Sequence, residues 1–284
     1  MAEARGTYFI GAEESAEMAR LLVQERLLTA GMGGLLAERQ QDVTGFHTVI
    51  DLACGPGGWA MDLAREHRDI EVYGVDISQR MIAYAQQAAN ASGLSNCHFL
   101  VMDVTQPLAF PDASFDLINI RYLSGFLLAR QWAEVFEEWR RVLRPGGIVR
   151  ITEPELCGVS TSAALEQLTA WFIAALWKAG QSFSPSPRRR GTLAVLPSRL
   201  RQAGYTFAGS MSHLIDISFG SDAHQGFAED LQFFYKLVQP FLLSMEVATQ
   251  EEIDTTYAQM LEQVQSQEFC GVYDLHTFWA TKPE

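Results

Sequence analysis

The chain has 284 residues, of which 48% are hydrophobic and 19% are charged, so it can bury a sizeable core and is not an intrinsically disordered protein. Its formal net charge of −13 argues against nucleic acid as a partner, because phosphate backbones are bound by basic surfaces. No stretch reaches about 18 uninterrupted apolar residues, which excludes a membrane-spanning helix.

The four cysteines are far apart in the sequence and form no Cys-x-x-Cys pair. This spacing indicates reduced thiols in a cytoplasmic protein, with no metal site. The first residues, MAEARGTYF, include acidic side chains and lack an apolar run, so we expect no signal peptide and a cytoplasmic location.

The N-terminal part of the chain predicts an amphipathic helix over residues 13–28, ended by the glycines at 31, 33 and 34. Because this helix precedes the core, and Tyr8 and Phe9 precede the helix, residues 1–42 are interpreted as a helical lid over a ligand site. A plain packing helix is an equally supported alternative.

Residues 49–58, VIDLACGPGG, predict a strand, a tight turn and a helix, with glycines that let a ligand approach the backbone. The segment that starts at Gly55 also fits the dinucleotide pattern G-x-G-x-x-G/A, so an NAD(P)-dependent oxidoreductase is an alternative. Asp51 argues against it, because a carboxylate there would face the pyrophosphate of a dinucleotide. It suits a ligand that carries an ammonium and a sulfonium.

This motif resembles the first motif of the class I S-adenosylmethionine (SAM) methyltransferases, D/E-x-G-x-G-x-G. Asp51, Gly55 and Gly57 match the pattern, and Ala53 replaces its first glycine. The resemblance spans roughly residues 49–154 and returns near 277–282. It implies an α/β fold with a seven-stranded, doubly wound, mostly parallel sheet, with SAM as cofactor and S-adenosylhomocysteine (SAH) as product.

The second predicted strand, residues 71–76, ends at Asp76, whose carboxylate can accept hydrogen bonds from both ribose hydroxyls of an adenosine. An N-cap for the helix predicted over 81–91 is the structural alternative for this residue. Ile77 and Met81 are expected to form the apolar wall beneath the adenine.

The third predicted strand, residues 97–102, ends before Asp103 and Val104. The resemblance places adenine here, with Asp103 accepting from the exocyclic amine and the Val104 N–H reaching a ring nitrogen. Together with Asp51 and Asp76, carboxylates then end three successive strands. Because parallel strands end at one edge of the sheet, this recurrence predicts a single nucleoside crevice.

The fourth predicted strand, residues 115–120, is nearly continuous in apolar character, as expected for a strand buried on both faces. Asn119, Arg121 and Tyr122 are expected to point towards the transferred methyl group. Arg121 either meets the SAM carboxylate or an acceptor anion, or it is a structural partner for an acid.

Helices and strands continue to the end of the chain. The sequence predicts helices over 132–142, 162–178, 196–203, 222–245 (bounded near Pro240) and 251–265, strands over 143–153 and 205–219, and a closing antiparallel strand over 270–281. We therefore divide the chain into a lid (1–42), a SAM-binding core (43–156) and a remainder (157–284). Helical cap insertions at about 157–195 and 221–267 in that remainder would form the acceptor pocket.

The cap segments are rich in aromatic residues, which indicates an enclosed pocket for an apolar acceptor, although these side chains could equally form a plain core. The aromatic candidates are Trp171, Trp177, Phe183, Phe227, Phe233, Phe234 and Tyr235. Arg188–Arg190 is the one basic run, either a solvated loop or a site for an acceptor anion.

No residue has the spacing that identifies a catalytic base. The weak candidates are His213, His224, Glu155 and Tyr8, with His276 and Asp216 behind them, and each lone histidine is more commonly structural.

The sequence therefore predicts a SAM-dependent methyltransferase that acts on C or O of a small, largely apolar metabolite, of secondary-metabolite or quinone-like type. A non-catalytic SAM-binding protein and the oxidoreductase are the alternatives. We expect no nucleic-acid or membrane partner and leave a homo-oligomer open.

Overall fold

An eight-stranded sheet lies at the centre of the molecule in the computed structural model, which describes residue 10, residues 15–156 and residues 158–284. The strands are β1 (Thr48–Leu52), β2 (Glu71–Asp76), β3 (Cys97–Val101), β4 (Phe115–Arg121), β5 (Leu143–Glu153), β6 (Val159–Ser160), β7 (Thr206–Asp216) and β8 (Gly271–Thr281). The strand order is β3-β2-β1-β4-β5-β8-β6, and β7 also pairs with β8. Strands β1 to β5 are mutually parallel, whereas β8 runs antiparallel to β5, β6 and β7. The predicted α/β fold is confirmed.

The helices are α1 (Ser15–Gly31), α2 (Gly58–Glu66), α3 (Gln79–Ala91), α4 (Trp132–Val142), α5 (Ala163–Lys178), α6 (Thr192–Gln202), α7 (His224–Leu237), α8 (Gln239–Ser244) and α9 (Gln250–Val264). The helix predicted over 222–245 is in fact two helices. Pro240 has no N–H to continue α7, but proline is well tolerated in the first turn of a new helix, so α8 begins there. Within the described residues, no helix has the length and apolar character needed to cross a bilayer.

Each face of the parallel sheet carries its own hydrophobic core. On β1, Ile50 and Leu52 pack in a cluster with Trp132 and Trp139 of α4, whereas Val49 packs with Trp59 of α2 in a second cluster. All six side chains are at most 1% exposed. This explains why the parallel strands read as continuous apolar runs: alternate side chains are buried on opposite faces.

A third hydrophobic cluster joins the cap helices α5, α7, α8 and α9 to the start of β8. Leu28 and Met32, at the end of α1, belong to this cluster, so the N-terminal helix packs against the cap. The domain boundaries at 42 and 156 stay a prediction from the sequence.

Candidate functional site

A cavity of about 430 Å³ opens where the parallel strands β1 to β4 end. The carboxyl ends of these strands meet at one edge, which is where open α/β sheets bind their ligands. Helices α1, α5 and α7 close the cavity from the other side. Of the residues predicted to bind SAM, those that line it are Ala53, Gly55, Asp76, Ile77, Met81, Asp103, Val104 and Arg121.

The glycine-rich turn after β1 is held in a left-handed backbone conformation at Gly55 (φ +53°) and Gly57 (φ +79°). Gly57 does not line the cavity; a Cβ at this position would lie 2.5 Å from a ring carbon of Phe99 and 3.0 Å from the Cβ of Ala85. Glycine is therefore required at Gly57 by packing, whereas Gly55 lies at the cavity wall.

Ala53, which stands where the family pattern has a glycine, also has a positive φ of +52°. Because an L-residue in this region costs about 1 kcal/mol or more, we expect Ala53→Gly to raise the free energy of unfolding by about 0.5 kcal/mol, net of the greater freedom of glycine in the unfolded chain. Urea unfolding measures this change. Ala113→Gly, at an exposed turn with φ +55°, is the matched comparison. If Ala113→Gly raises the free energy of unfolding and Ala53→Gly lowers it, the Ala53 methyl group stabilises the fold.

Asp76 links the first two strand ends. Its Oδ2 accepts a hydrogen bond from the Gly55 N–H and its Oδ1 accepts one from the Ser78 N–H, both at 2.9 Å. The N-cap of α3 is Ser78, whose Oγ accepts from the Met81 N–H at 3.2 Å. Within the Asp76–Ser78 segment the capping role therefore falls to Ser78, and the Asp76 carboxylate holds the glycine-rich turn at the cavity wall.

Asp103 and Val104 present an acceptor beside a donor. The Asp103 Oδ1 accepts from the Thr105 N–H at 2.9 Å and from the Thr105 hydroxyl at 2.7 Å. In the described part of the chain, no group donates to Asp103 Oδ2 and none accepts from the Val104 N–H. This pair complements a ring edge that carries an amine next to a ring nitrogen, such as the edge of adenine.

Asp51 and Asn119 are buried in the sheet and do not line the cavity. Asn119 Nδ2 donates to Asp51 Oδ1 at 2.7 Å, and Arg150 donates to Asn119 Oδ1 at 2.7 Å and to Glu38 Oε1 at 2.7 Å. Burial raises the pKa of Asp51 to about 7, although the charge of Arg121 and the bond from Asn119 lower it. Asp51 thus starts a buried polar chain, which differs from the expectation that it would face the ligand directly.

Arg121 has a structural partner and lines the cavity as well. Its Nη1 donates to the Thr29 hydroxyl at 3.3 Å, and its Nη2 lies 3.5 Å from Glu25 Oε1. A Cβ on Gly58 would lie 2.6 Å from Glu25 Oε2, so this carboxylate rests against the first turn of α2. Glu25 was not among the predicted site residues, because in the sequence it is one charge among several on an amphipathic helix.

Helix α1 is tied to α7 by a buried ionic network. Arg20 donates to both carboxylate oxygens of Glu17 at 2.7 Å and to Asp230 Oδ1 at 2.9 Å, and Gln24 donates to Asp230 Oδ2 at 3.2 Å. Arg20, Gln24 and Asp230 line the cavity. Helix α1 thus contacts both the glycine-rich turn and the cap, and its role as a lid stays a prediction from the sequence. Tyr8 and Phe9, the other parts of that prediction, lie outside the described residues.

The cap end of the cavity is aromatic. Its lining includes Phe126, Phe172, Phe234, Tyr122, Tyr235 and Tyr273. Among the aromatic candidates from the sequence, Phe234 and Tyr235 are in this group. The others belong to cores or to the surface: Phe227 packs on Tyr273, Phe183 packs on Trp132, Trp171 is partly buried against the cap, and Trp177 and Phe233 are exposed. Tyr122 has a positive φ of +59°, and its hydroxyl lies 3.2 Å from that of Tyr273.

The candidate bases lie away from the cavity and have structural partners. The Nε2 atoms of His213 and His224 lie 3.1 Å from the Thr277 hydroxyl and 2.9 Å from the Val264 carbonyl. Glu155 accepts from the N–H groups of Gly191 and Leu193, at the start of α6. His276 pairs with Ser212, Asp216 is exposed, and Tyr8 lies outside the described residues. Among the side chains that the structure describes, no three His, Cys, Asp or Glu gather as metal ligands.

The family model described as "Methyltransferase domain" matches residues 49–147. A demethylmenaquinone methyltransferase of Geobacillus kaustophilus is 33% identical over 124 residues, which are 42% of this chain and 52% of that protein. A probable methyltransferase of Aspergillus luteorubrus is 26% identical over 189 residues, 63% of this chain and 62% of its own. The chain thus spans about half the length of the first of these relatives.

Solved structures share the fold at low identity. The YcgJ protein of Bacillus subtilis has a TM-score of 0.55 at 18% identity, covering 90% of this chain and 99% of its own. Phosphoethanolamine N-methyltransferase 2 of Haemonchus contortus, in complex with SAM, has a TM-score of 0.53 at 18% identity, covering 90% of this chain and 52% of its own. The [4+2]-cyclase SpnF has a TM-score of 0.52 at 19% identity, covering 98% and 99%. Residues 49–147 therefore match a methyltransferase domain in sequence, and the chain shares its fold with these solved structures.

Proposed function

We propose that this chain transfers a methyl group from SAM to carbon or oxygen of a small, largely apolar metabolite. The observation that carries the proposal is the convergence of the glycine-rich turn, Asp76 and the Asp103–Val104 pair on one cavity. The demethylmenaquinone methyltransferases among the relatives support an acceptor with a quinone-like ring. Asp76 accepts a hydrogen bond from the Gly55 N–H, so the glycine-rich turn and the predicted ribose-binding carboxylate are held together at one site.

The cavity residues fall into two groups: those at the ends of β2, β3 and β4 would bind SAM, and those of the cap would bind the acceptor. Asp103 and Val104 follow β3 and would hold adenine, Asp76 follows β2 and would hold the ribose, and Ile77 and Met81 would form the apolar wall. Arg121 follows β4 and, with Glu25 of α1, offers charges of both signs to the amino acid end of SAM. The aromatic residues of the cap would surround the acceptor.

SAM, when bound, supplies the methyl group on its sulfonium. The protein contributes position: side chains from four strand ends and three helices surround one cavity, so both reactants can be held in line without a covalent residue. Helices α1, α5 and α7 also exclude water from the acceptor end. The acceptor's own nucleophilicity then decides whether a base is needed.

Measurements of ligand binding and of turnover distinguish two alternatives from this proposal. A non-catalytic SAM-binding protein would bind SAH without turnover, and the cyclase among the structural neighbours illustrates that the fold is not restricted to methyl transfer. A nicotinamide enzyme would bind NAD(P)H and not SAH. A homo-oligomer and a cytoplasmic location stay predictions from the sequence.

The decisive experiment is calorimetric titration with SAH. We expect the wild type to bind and Asp76→Ala to weaken binding tenfold to a hundredfold, because it loses the charge-assisted bonds from the Gly55 and Ser78 N–H groups as well as the ribose contact. Asp62→Ala, an exposed acid of α2 paired with Arg65, is the control and should bind like the wild type. The absence of SAH binding in the wild type would overturn the proposal. Incubation with SAM and a panel of phenols and quinols, read by mass for one added methyl, then tests turnover.

A further inference from the structure

The edge of the sheet at β7 is long and carries no charged residue along most of its length. In the described part of the chain, β7 pairs with β8 alone, so its other side is an open edge. The other strands at the ends of the sheet are shorter: β3 has five residues and β6 has two. β7 has eleven residues, and from Thr206 to Ile215 it contains no Asp, Glu, Lys, Arg or Pro. Natural proteins commonly use such residues to protect a long edge from pairing.

The register of β7 on β8 shows which backbone groups face the open edge. Just after the strand, the Ile217 N–H donates to the Gly271 carbonyl at 2.9 Å. Antiparallel strands bond each other at every second residue, so the odd-numbered residues that precede Ile217 also bond β8. The residues between them, Ser210, Ser212 and Leu214, therefore direct their N–H and C=O groups to the open edge. A bulge interrupts the register upstream of Ser210.

The side chains along this edge are apolar or small. Leu214 is 71% exposed, more than any other large hydrophobic side chain among the described residues, and Met211 is 37% exposed. The Ser212 hydroxyl lies 2.9 Å from the Nδ1 atom of His276 on β8, so it is directed to the neighbouring strand of its own sheet. An exposed leucine beside a row of outward backbone groups indicates a surface that another strand can cover.

The two ends of β7 carry opposite charges. Asp216 is exposed at the C-terminal end, and at the other end the Cζ of the exposed Arg201 lies 5.3 Å from the ring centroid of Phe207. Phe207 pairs with Ala280 and Asp216 with Val272, which are an even number of residues apart on β8. Both side chains therefore lie on one face of the sheet. An antiparallel copy of this edge would bring the aspartate of each copy towards the arginine of the other.

We propose that β7 pairs with β7 of a second copy of this chain, so that two sheets join into one across a two-fold axis. An axis at Ser212 pairs Ser210 of each copy with Leu214 of the other, and the residues of each pair exchange backbone hydrogen bonds. Each copy has one such edge, so assembly stops at the dimer. The paired segment is short, so we expect a dissociation constant in the micromolar range. The proposal does not depend on the reaction that the chain catalyses.

Sedimentation velocity of the full chain, over about 1 to 100 μM protein, tests the assembly. The wild type should pass from monomer to dimer. Ser212→Pro removes an N–H that faces the open edge and not β8, so it should keep the fold and weaken dimerisation about tenfold or more. Ser212→Ala loses the same hydroxyl but keeps the N–H, so this matched control should dimerise like the wild type. A monomeric wild type, a dimer unaffected by Ser212→Pro, or growth beyond the dimer would overturn the proposal.

A charge exchange tests the orientation of the two copies. Arg201→Asp and Asp216→Arg each place like charges together at both ends of the paired strands, so each variant should weaken dimerisation about threefold to tenfold. The double variant restores opposite charges and should recover the dimerisation of the wild type. If the effects of the two single variants simply add in the double variant, these ends do not meet and the antiparallel pairing is excluded.

Amide hydrogen exchange of the wild type, resolved by residue, tests the same interface without any substitution. The N–H groups of Ser210, Ser212 and Leu214 should exchange faster in dilute samples and become protected as the protein concentration rises. The N–H of Ile215 faces β8 and should be protected at every concentration, which makes it the internal control. Exchange at the three outward N–H groups that does not change with concentration would rule out the dimer proposed here, even if Ser212→Pro failed to fold.

Discussion

Replacing Gly57 by alanine is expected to lower the free energy of unfolding by about 3 kcal/mol. The backbone there has a φ of +79°, which costs an L-residue about 1 kcal/mol or more, and the new Cβ would lie 2.5 Å from the Phe99 ring. Phe99 cannot simply retreat, because a Cβ at Gly74 would meet the same ring at 2.5 Å, so the ring fills the space between the two glycines. Equilibrium unfolding in urea measures the change.

Gly93→Ala separates the two contributions. Gly93 has a similar φ of +64°, but a Cβ there meets nothing within 4 Å. The free energy of unfolding of this variant should therefore fall only by the cost of the backbone conformation, about 1 kcal/mol. Equal losses in the two variants would show that contact with Phe99 does not explain the glycine at Gly57. Because Gly57 caps α2, we also expect Gly57→Ala to weaken SAH binding.

Asp51→Asn is expected to change how stability depends on pH. The pKa of Asp51 is raised, mainly by burial, from 3.8 to about 7, so the folded state binds the proton more tightly than the unfolded state. The protonated carboxyl of Asp51 therefore contributes to the free energy of unfolding. That contribution is complete below the pKa that Asp51 has in the unfolded chain, and it is lost as pH rises between about 4 and 7. From pH 5 to pH 7, the free energy of unfolding of the wild type should therefore fall by about 2 kcal/mol relative to that of Asp51→Asn.

Asp116→Asn is the control of opposite sign. Burial raises the pKa of Asp116, but hydrogen bonds from Arg144 and from the N–H groups of His47 and Thr48 more than offset this and hold the pKa below its usual range. Its contribution to stability is present above the unfolded pKa and is lost as pH falls. Urea unfolding at several pH values from 4 to 8 gives both slopes. A pH-independent difference between the wild type and Asp51→Asn would mean that Asp51 is ionised in the fold throughout.

Local patterns predicted most of the sheet and its flanking helices. The bounds of β2, α4 and β5 agree with the predicted bounds, because each is marked by a clear period or by a turn such as the Pro-Gly-Gly inside β5. The sequence indicated a boundary near Pro240 but assigned residues 222–245 to one helix, whereas the structure has α7 and α8 on either side of Val238. The start of α6 was predicted at Leu196 but lies at Thr192, and Pro197, a residue type that is common in the first turn of a helix, lies inside this one.

The proposed nucleoside end of the cavity follows from chain position, because Asp76 and Asp103 lie at or just after the ends of parallel strands, which meet at one edge of the sheet. The proposed acceptor end does not follow in the same way. Arg20 contacts Asp230 across a separation of 210 residues, and Arg190 contacts Ser124 across 66, and no local period reports such pairs. Asp51 was misplaced for another reason. The motif identifies the residue but not its partner, and Asn119 on the neighbouring strand takes up the carboxylate.

The strand that is latest in chain order, β8, lies between β5 and β7 and makes contacts across long stretches of sequence, such as Thr277 with Thr152, 125 residues apart. During synthesis, the other strands therefore leave the ribosome with the edges of β5 and β7 still unpaired. Contacts of such high sequence separation form slowly, which makes insertion of β8 a late step in folding. A chain cut before Gly271 would thus expose two sheet edges and should aggregate instead of folding into a smaller stable protein.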